Sequence, residues 1–492
     1  MELALQTMTN GTNDSTVLLV LGVVVALLTI AMETLARRGV FPQWLCRKVL
    51  HVGAVGACAA APLLLHDLSV LTVVVAVAAL LLMVLVGTGV LFREAEGRPS
   101  WGIALFPLPY LALLLLFPGV EQRTLIALPM LILAVSDALA AVVGTLVTTP
   151  SFRLTGDRKT LGGSLAFLVI TWLILVTVPS PLIALPSGQL HGTALLFALL
   201  LTACEALGSR GRDNLYIPSA AAMLLAGLMF RNSISNVLPA VLALPVATLF
   251  VAITVRRHWL TLGGAVAAAL LGVWVILFQG LLWLVPLMVF FISSTLLGKV
   301  LRAPSAASTT SDAKHGQPRD ATQVFANGGI YGLAAALLPT ADAHLVMALS
   351  MTAATADTWA SEIGIALKGR TYDIVGLKRV PVGLSGGISV GGTLGAAIGA
   401  ILVAAICTLL IESSRSAIAI AGILAGLGLA GMFLDSILGS LIQAKYRGPS
   451  GDLQDSASDR ALLVSGAAWM TNDAVNLVSN LLIAGTALWV MA

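Results

Sequence analysis

The sequence predicts an all-α, polytopic membrane protein of about 14–16 transmembrane helices arranged in two related bundles. Three observations carry that prediction. The 492 residues are 58% hydrophobic and only 10% charged, with mean hydropathy +0.99, whereas a soluble chain carries about a quarter charged residues. Apolar stretches near or above 18 residues recur from end to end, each able to cross about 30 Å of hydrocarbon. The basic residues fall almost entirely in alternate loops.

Taken in order, the spans are 17–36, 47–65, 68–92, 101–117, 124–148, 162–186, 192–207, 214–229, 236–255, 261–279, 281–300, 323–338, 342–366, 386–411, 417–443 and 468–490. The apolar runs are continuous rather than alternating, which argues against a barrel and leaves helices to satisfy the backbone in lipid. Of the 27 Lys and Arg residues, 24 lie in odd-numbered loops; Arg123, Arg231 and Arg415 are the exceptions. By the positive-inside rule this places the odd loops in the cytoplasm and both termini outside. The net charge of +4 therefore speaks for topology, not for a nucleic-acid partner. Cys46, Cys58, Cys204 and Cys407 are scattered, with neither zinc-ligand spacing nor a disulfide framework. No basic segment precedes the first span, so no cleavable signal is expected. Asn10-Gly11-Thr12 and Asn13-Asp14-Ser15 fit the glycosylation pattern, a weak signal.

An ionisable group within a span is a functional candidate by default. Asp137 and Asp357 each sit inside a span and precede a glycine, Gly144 or Gly364, by two helical turns, so each Asp shares a face with its glycine. Each is followed by a basic loop, Arg153 to Thr160 or Lys368 to Arg379, and then by a glycine-rich helix start at Gly162-Gly163 or Gly386-Gly387. A second acid follows in each half, Glu205 or Asp435, and then an Asn/Asp pair, Asp213-Asn214 or Asn472-Asp473. This order suggests an internal duplication with its junction near 230–258.

Carboxylates that hold a divalent metal, basic groups that neutralise phosphate oxygens and glycine N–H groups at a helix start together suit phosphate chemistry. Gly156-Asp157-Arg158-Lys159-Thr160 lacks the P-loop spacing, so that mechanism is excluded. From these residues alone, a nucleotide-using enzyme and an anion-coupled transporter both fit.

Arg47-Lys48-Val49-Leu50-His51, Ser100-Trp101-Gly102 with Phe106-Pro107, Asp137 to Gly144, Lys159 to Ser164, and Glu205 through Asp213-Asn214 and Pro218 together resemble the ordered motifs of the phytol kinase and dolichol kinase family, over about 17–230. Gly162 stands where that family usually has Glu, which leaves Asp157 as the neighbouring acid. Lys314 to Val324 with Asn327-Gly328-Gly329, Ala356 to Gly364, Val380 to Ser389, Asp435-Ser436 and Asn472 to Asn476 resemble the transmembrane protein 19 family, which includes plant phytyl-phosphate kinases, over about 255–490.

The two resemblances imply a prenol kinase domain at 1–230, a connecting helix region at 231–254 and a prenyl-phosphate kinase domain at 255–492. They imply successive transfers from CTP or another NTP, with Mg²⁺, to a prenyl alcohol and then to its monophosphate at the membrane. A repeat-built transporter and a lipid-phosphate cytidylyltransferase are the alternatives. The catalytic residues expected are Asp137, Lys159, Glu205, Asp357, Glu362 and Asp435, with metal held by Asp137, Asp357, Asp435 and Asp473. Nucleotide or phosphate contacts fall to Arg47, Lys48, His51, Arg158, Gly163, Asp213 and Asn214 in the first half. In the second they fall to Arg319, Gln323, Asn327, Lys378, Gly386, Gly387 and Asn476. Plainer roles compete: Asp320 is placed to cap a helix, and Asn472, Asn476 and Asn480 form a stripe suited to interhelical hydrogen bonds. Trp44, Trp101 and Trp259 read as interfacial anchors.

Overall fold

A computed structural model describes residues 13–88, 101–231, 233–301, 317–413, 415–448, 451–457 and 461–490. Asn10, Ser100 and Lys314 to Gly316 lie outside them. The chain divides into two compact units, Met1–Val237 and Leu238–Ala492. It is all-α apart from short β-pairs, and every expected span contains helix. Among the described residues, ten helices are long and apolar enough to cross a membrane, fewer than the sixteen stretches expected. The difference has a physical cause. Helices 43–64 and 340–367 are long but carry polar side chains among their apolar ones, while helices 107–116, 161–177, 321–337 and 472–485 have fewer than 18 residues.

The first unit opens with α1 (Asp14–Arg37), whose first turn is capped by Asn13 Oδ1 accepting from Ser15 N–H. No residue of α1 is buried, so Leu19, Leu27 and Ile30 present an apolar surface suited to lipid. It packs on α2 (Gln43–Leu64). After α3 (Ser69–Gly87), the expected span at 101–117 is broken near Pro107 into α4 (Trp101–Leu105) and α5 (Pro107–Leu116). The buried centre is α6 (Thr124–Ile132), a π-helical turn at Leu133–Asp137, and α7 (Ala138–Leu146). Strands β1 (Ser151–Phe152) and β2 (Lys159–Thr160) pair antiparallel and deliver the chain into α8 (Leu161–Thr177). Helices α9 (Ser187–Leu207) and α10 (Asp213–Arg231) complete the unit, α10 packing on α6.

The second unit contains α11 (Val237–Arg256), α12 (Leu262–Gln279), α13 (Leu284–Val300) and α14 (Ala321–Leu337). Its hub is α15 (Thr340–Leu367), which packs on α13, α14, α16 (Val390–Thr408), α17 (Ala417–Leu441) and α18 (Asn472–Gly485). Between α15 and α16, β3 (Tyr372–Asp373) pairs antiparallel with β4 (Gly387–Ile388). Between α17 and α18, β5 (Lys445–Arg447) is flanked by β6 (Leu453–Gln454) and β7 (Leu462–Ser465). A final turn, α19 (Ala487–Val490), follows α18.

Small residues allow the close approach of α15 and α16, as is usual where lipid supplies no hydrophobic drive between helices. Ala356, Ala396 and Ala400 are fully buried with Met432. A Cβ at Gly395 would lie 3.1 Å from the Trp359 carbonyl oxygen, and one at Gly399 3.1 Å from the Trp359 ring. Gly395→Leu is therefore expected to destabilise the unit by about 1–3 kcal/mol, the usual cost of overpacking. Gly422→Leu on α17, where nothing lies within 4 Å, should leave stability unchanged. Unfolding midpoints of the two variants in the same detergent decide the matter.

Candidate functional site

The first unit gathers its charges at one end of α2, α7 and α9. Lys48 and His51, three apart on α2, share a face. Lys48 Nζ donates to Asp137 Oδ2 at 3.1 Å, and His51 Nε2 lies 3.8 Å from the same oxygen. Nε2–H of His51 donates to Leu133 O at 3.2 Å, at the start of the π-helical turn that ends on Asp137. Such widened turns are frequent at functional sites. Of the three residues expected to contact nucleotide or phosphate here, Arg47 is exposed, while Lys48 and His51 meet at Asp137.

Lys159, on β2, donates to Glu205 near the end of α9 and lies 3.6 Å from Asp213 Oδ2 at the start of α10. Burial works against its charge, but Glu205 and then Asp213 outweigh that and raise its pKa above the ordinary 10.5. Asn214 Nδ2 donates to Gly102 O at 2.8 Å, so it ties α10 to α4. Arg158 is exposed.

Two expected roles change here. Gly163 N–H is taken by the capping hydroxyl of Thr160 at 3.2 Å, and its missing side chain serves packing: a Cβ there would lie 2.9 Å from Ala140 O. Asp157 accepts the N–H of Arg210 at 2.8 Å, where Arg210 has φ 55, so it shapes the loop before α10 rather than facing Lys159. Gly162 donates its N–H to Thr149 Oγ1 at 2.9 Å, and a Cβ would lie 3.0 Å from that side chain. Thr149 thus occupies the space a larger residue at 162 would need.

The second unit has an open polar cavity of about 210 Å³. It brings together Arg319 just before α14, Gln323 and Asn327 from its first two turns, Asp357 and Glu362 from α15, Gly386 and Gly387 where the loop enters β4, Asp435 from α17 and Asn476 from α18. Lys378 and Asp473 do not line it: Lys378 is exposed and its carbonyl accepts from Asp373 N–H, while Asp473 is buried in the first turn of α18.

Asp435 accepts from Ser479 Oγ at 2.7 Å and, with the Asn476 amide oriented to satisfy both its partners, from Asn476 Nδ2 at 3.2 Å. Asn480 Nδ2 donates across to Asn327 O at 3.1 Å, so the asparagine stripe serves both the cavity and helix packing. Asp320 caps α14 in a reciprocal box with Gln323, whose Oε1 accepts the Asp320 N–H at 3.1 Å. Gly387 donates its N–H to Leu384 O, and Gly386, at φ +84, sits where a Cβ would lie 2.7 Å from Ser440 Cα.

Asp455 also lines the cavity and accepts from Ser385 N–H at 2.9 Å. Sequence reasoning missed it because Asp455 lies in a polar loop, outside any span. Asp373, on β3, accepts from Ser440 Oγ at 2.8 and 3.0 Å and so ties β3 to the end of α17. Burial pushes its carboxyl up, but the Gly376 N–H and the Ser440 hydroxyl outweigh that and hold it below the ordinary carboxylate range. Among the described residues, no group of three or more His, Cys, Asp or Glu side chains could hold a metal ion unaided. The four cysteines are free.

One local arrangement occurs in both units. An acid on a helix, Asp137 or Asp357, is followed by an antiparallel β-pair and then by a hydroxyl cap, Thr160 or Ser389, whose oxygen accepts from Gly163 or Gly392 N–H. A Cβ at Gly144 or Gly364 would lie 3.6 Å from the Cα of that second glycine. A Cβ at Gly392 would lie 2.8 Å from Ala360 O, as one at Gly163 would from Ala140 O at 2.9 Å. The Asp-to-Gly spacing in the sequence therefore sets each acid two turns from a contact that admits no side chain.

This is a multi-pass integral membrane protein. Residues 245–484 match the family described as integral membrane protein DUF92, and every residue lining the polar cavity lies within that stretch. No solved structure matches the chain.

Removing one partner of a buried ion pair strands the others. Lys159→Met should therefore cost about 3 kcal/mol, at the lower end of the range for such pairs. Adding Glu205→Gln should recover part of that loss in thermal unfolding. Because the folded pKa of Lys159 lies above 10.5, its contribution is complete at lower pH and lost only as pH rises through that raised value. The stability gap between wild type and Lys159→Met should accordingly stay constant from pH 6 to about 9.

Proposed function

We propose that the chain is a bifunctional isoprenoid salvage kinase: it phosphorylates a prenyl alcohol such as phytol or geranylgeraniol to the monophosphate and then to the diphosphate, using CTP or another NTP. The observation that carries this reading is the twice-built arrangement of acid, β-pair, capped glycine helix and second acid, with Lys48 and Lys159 in one unit and Arg319 in the other. The kinship of DUF92 with polyprenol and dolichol kinase-like proteins supports it. So does the odd-loop basic charge, since the positive-inside rule leads one to expect basic loops at the cytoplasmic face, where a prenyl phosphate would present its head.

In the first unit the prenol oxygen attacks the terminal phosphorus of the nucleotide, the bond to the bridging oxygen breaks, and the nucleoside diphosphate leaves. The hydroxyl proton passes to a carboxylate, Asp137, while Lys48 and Lys159 offset charge on the transferred group. In the second unit the acceptor is already an anionic phosphate, so no base is needed and the demand is for charge neutralisation. Mg²⁺ is usually held by one or two carboxylates plus substrate phosphates, and the hard oxygens of Asp357 and Asp435 fit that pattern. When bound it would neutralise phosphate oxygens. Arg319 and Asn476 are placed to position the acceptor and donor phosphates at the same cavity.

The test is purified protein with a C20 prenol, CTP and Mg²⁺, read as lipid products and spent nucleotide. Monophosphate and diphosphate with release of CDP are expected; pyrophosphate release would mean cytidylyl transfer instead, and no lipid product at all would sink the reading. Asp137→Asn should slow the first step at least 100-fold while added monophosphate is still converted. Asp357→Asn should do the reverse, so that monophosphate accumulates. Loss of both steps in either variant would contradict two independent sites.

A further inference from the structure

The second unit holds a cleft of about 190 Å³ whose chemistry is opposite to that of the polar cavity. Its walls come from α11, α12, α13 and α14, and side chains such as Val246, Phe250, Leu271 and Met288 make it almost wholly apolar. Three residues line both spaces: Arg319, Gln323 and Asn327. The two spaces are thus neighbours across a single polar edge. The guanidinium of Arg319 stands 5.9 Å from the centre of the Phe290 ring, and Phe290 belongs to the apolar wall. Arg319 therefore stands beside the apolar wall while also lining the polar cavity.

The outer wall, α11, is largely exposed: Leu242, Val246 and Leu249 are each at least 60% accessible. An apolar helix with that exposure suits contact with lipid, and it forms one wall of the cleft. Van der Waals contact also limits its width, since a Cβ at Gly272 would lie 3.3 Å from Leu284 Cδ1 and a Cβ at Gly328 would lie 2.6 Å from Leu271 Cδ2.

We propose that this cleft seats the hydrocarbon chain of a lipid phosphate whose head lies in the polar cavity, so that α11 to α13 set which chains the second unit accepts. The proposal rests on the kinase reading for the identity of the head group. An amphiphile of one anionic head and one unbranched or methyl-branched chain fits a polar cavity and an apolar cleft that meet at an arginine. A water-soluble substrate would leave the apolar cleft without a role.

The experiment uses the full chain in nanodiscs and two readouts. First, a C20 alkyl monophosphate carrying a photoactivatable group at its far end is crosslinked without nucleotide and the labelled peptides are mapped. Label is expected on α11 and α13, competed by C20 prenyl monophosphate and not by a C20 alcohol or by excess phosphatidylcholine. Label competed equally by all three would make the cleft a general lipid crevice and overturn the proposal. Second, Ala247→Trp, which fills the cleft from the lipid-facing helix, is assayed with C5 and C20 prenyl monophosphates. The ratio of KM for C20 to KM for C5 should rise at least tenfold; an unchanged ratio would overturn the proposal. Competed label at the cleft with no phosphoryl transfer by wild type would remove the kinase reading and leave the cleft. Active wild type with label elsewhere would do the opposite.

Discussion

A carboxylate carried on a helix that lies in a membrane must be withdrawn from lipid and given partners, and this constraint decides which helices of the chain are central. α15 carries Asp342, Asp357 and Glu362 and is too polar for the membrane-spanning criterion, yet it is the hub on which five helices of its unit pack. α1, by contrast, is wholly apolar in its middle and buries nothing. The most exposed helices, α1, α3 and α11, are apolar and suit the boundary with lipid, while apolar α6 and α12 join the polar helices inside. The same logic places Asp137 at 11% side-chain exposure against Lys48, and Glu205 at 7% against Lys159.

Bringing polar helices together without lipid between them requires close backbone approach, which is where the glycines enter. Gly163 and Gly392 each press against a carbonyl one turn beyond the acid, and each gives its N–H to a capping hydroxyl. A ligand is thereby denied those two N–H groups, and what the contact provides is position. It fixes the β-pair and the helix start beside the acid to within van der Waals tolerance. Preorganisation of that kind is what charge stabilisation at a reacting phosphate requires, because donors that must move lose much of their effect.

Much of this was legible in the sequence, for reasons that differ by element. Composition and apolar run length gave the helical membrane class, since lipid allows few alternatives. Asp137, Glu205, Asp357 and Asp435 were legible because a charge inside an apolar run has no neutral explanation. The loop residues were less so. A Lys at a membrane face has a topological reason to be there whether or not it touches a site, and nothing in the sequence separates Lys159, held between Glu205 and Asp213, from exposed Arg158 or Lys378. Asp455 escaped for the related reason that an acid in a polar loop is unremarkable until its Ser385 contact is seen. Hydropathy alone singles out the long apolar helices and passes over α2 and α15, whose polar site residues lower their mean, so the helices richest in site residues are the hardest to classify.

The two units answer the cost of buried charge differently, and the difference bears on what each can do. In the first, Asp137 and Glu205 each meet a lysine, and Asp213 shares the second of them, so most of the acidic charge is offset within the cluster. In the second, Asp435 is held by the neutral donors Ser479 and Asn476, and among the described residues no ion pair reaches Asp357 or Asp435. Hydrogen bonds from neutral groups orient a carboxylate but leave its charge uncompensated. That cavity is therefore the one that gains most from a cation arriving with its ligand. An acceptor that is itself anionic raises the same demand, since two phosphates cannot approach until their charge is offset. An alcohol acceptor raises it less and asks instead for a group to take its proton. On the proposed order of reactions, the lysine-paired acids stand where the alcohol would react and the unpaired acids where the phosphate would.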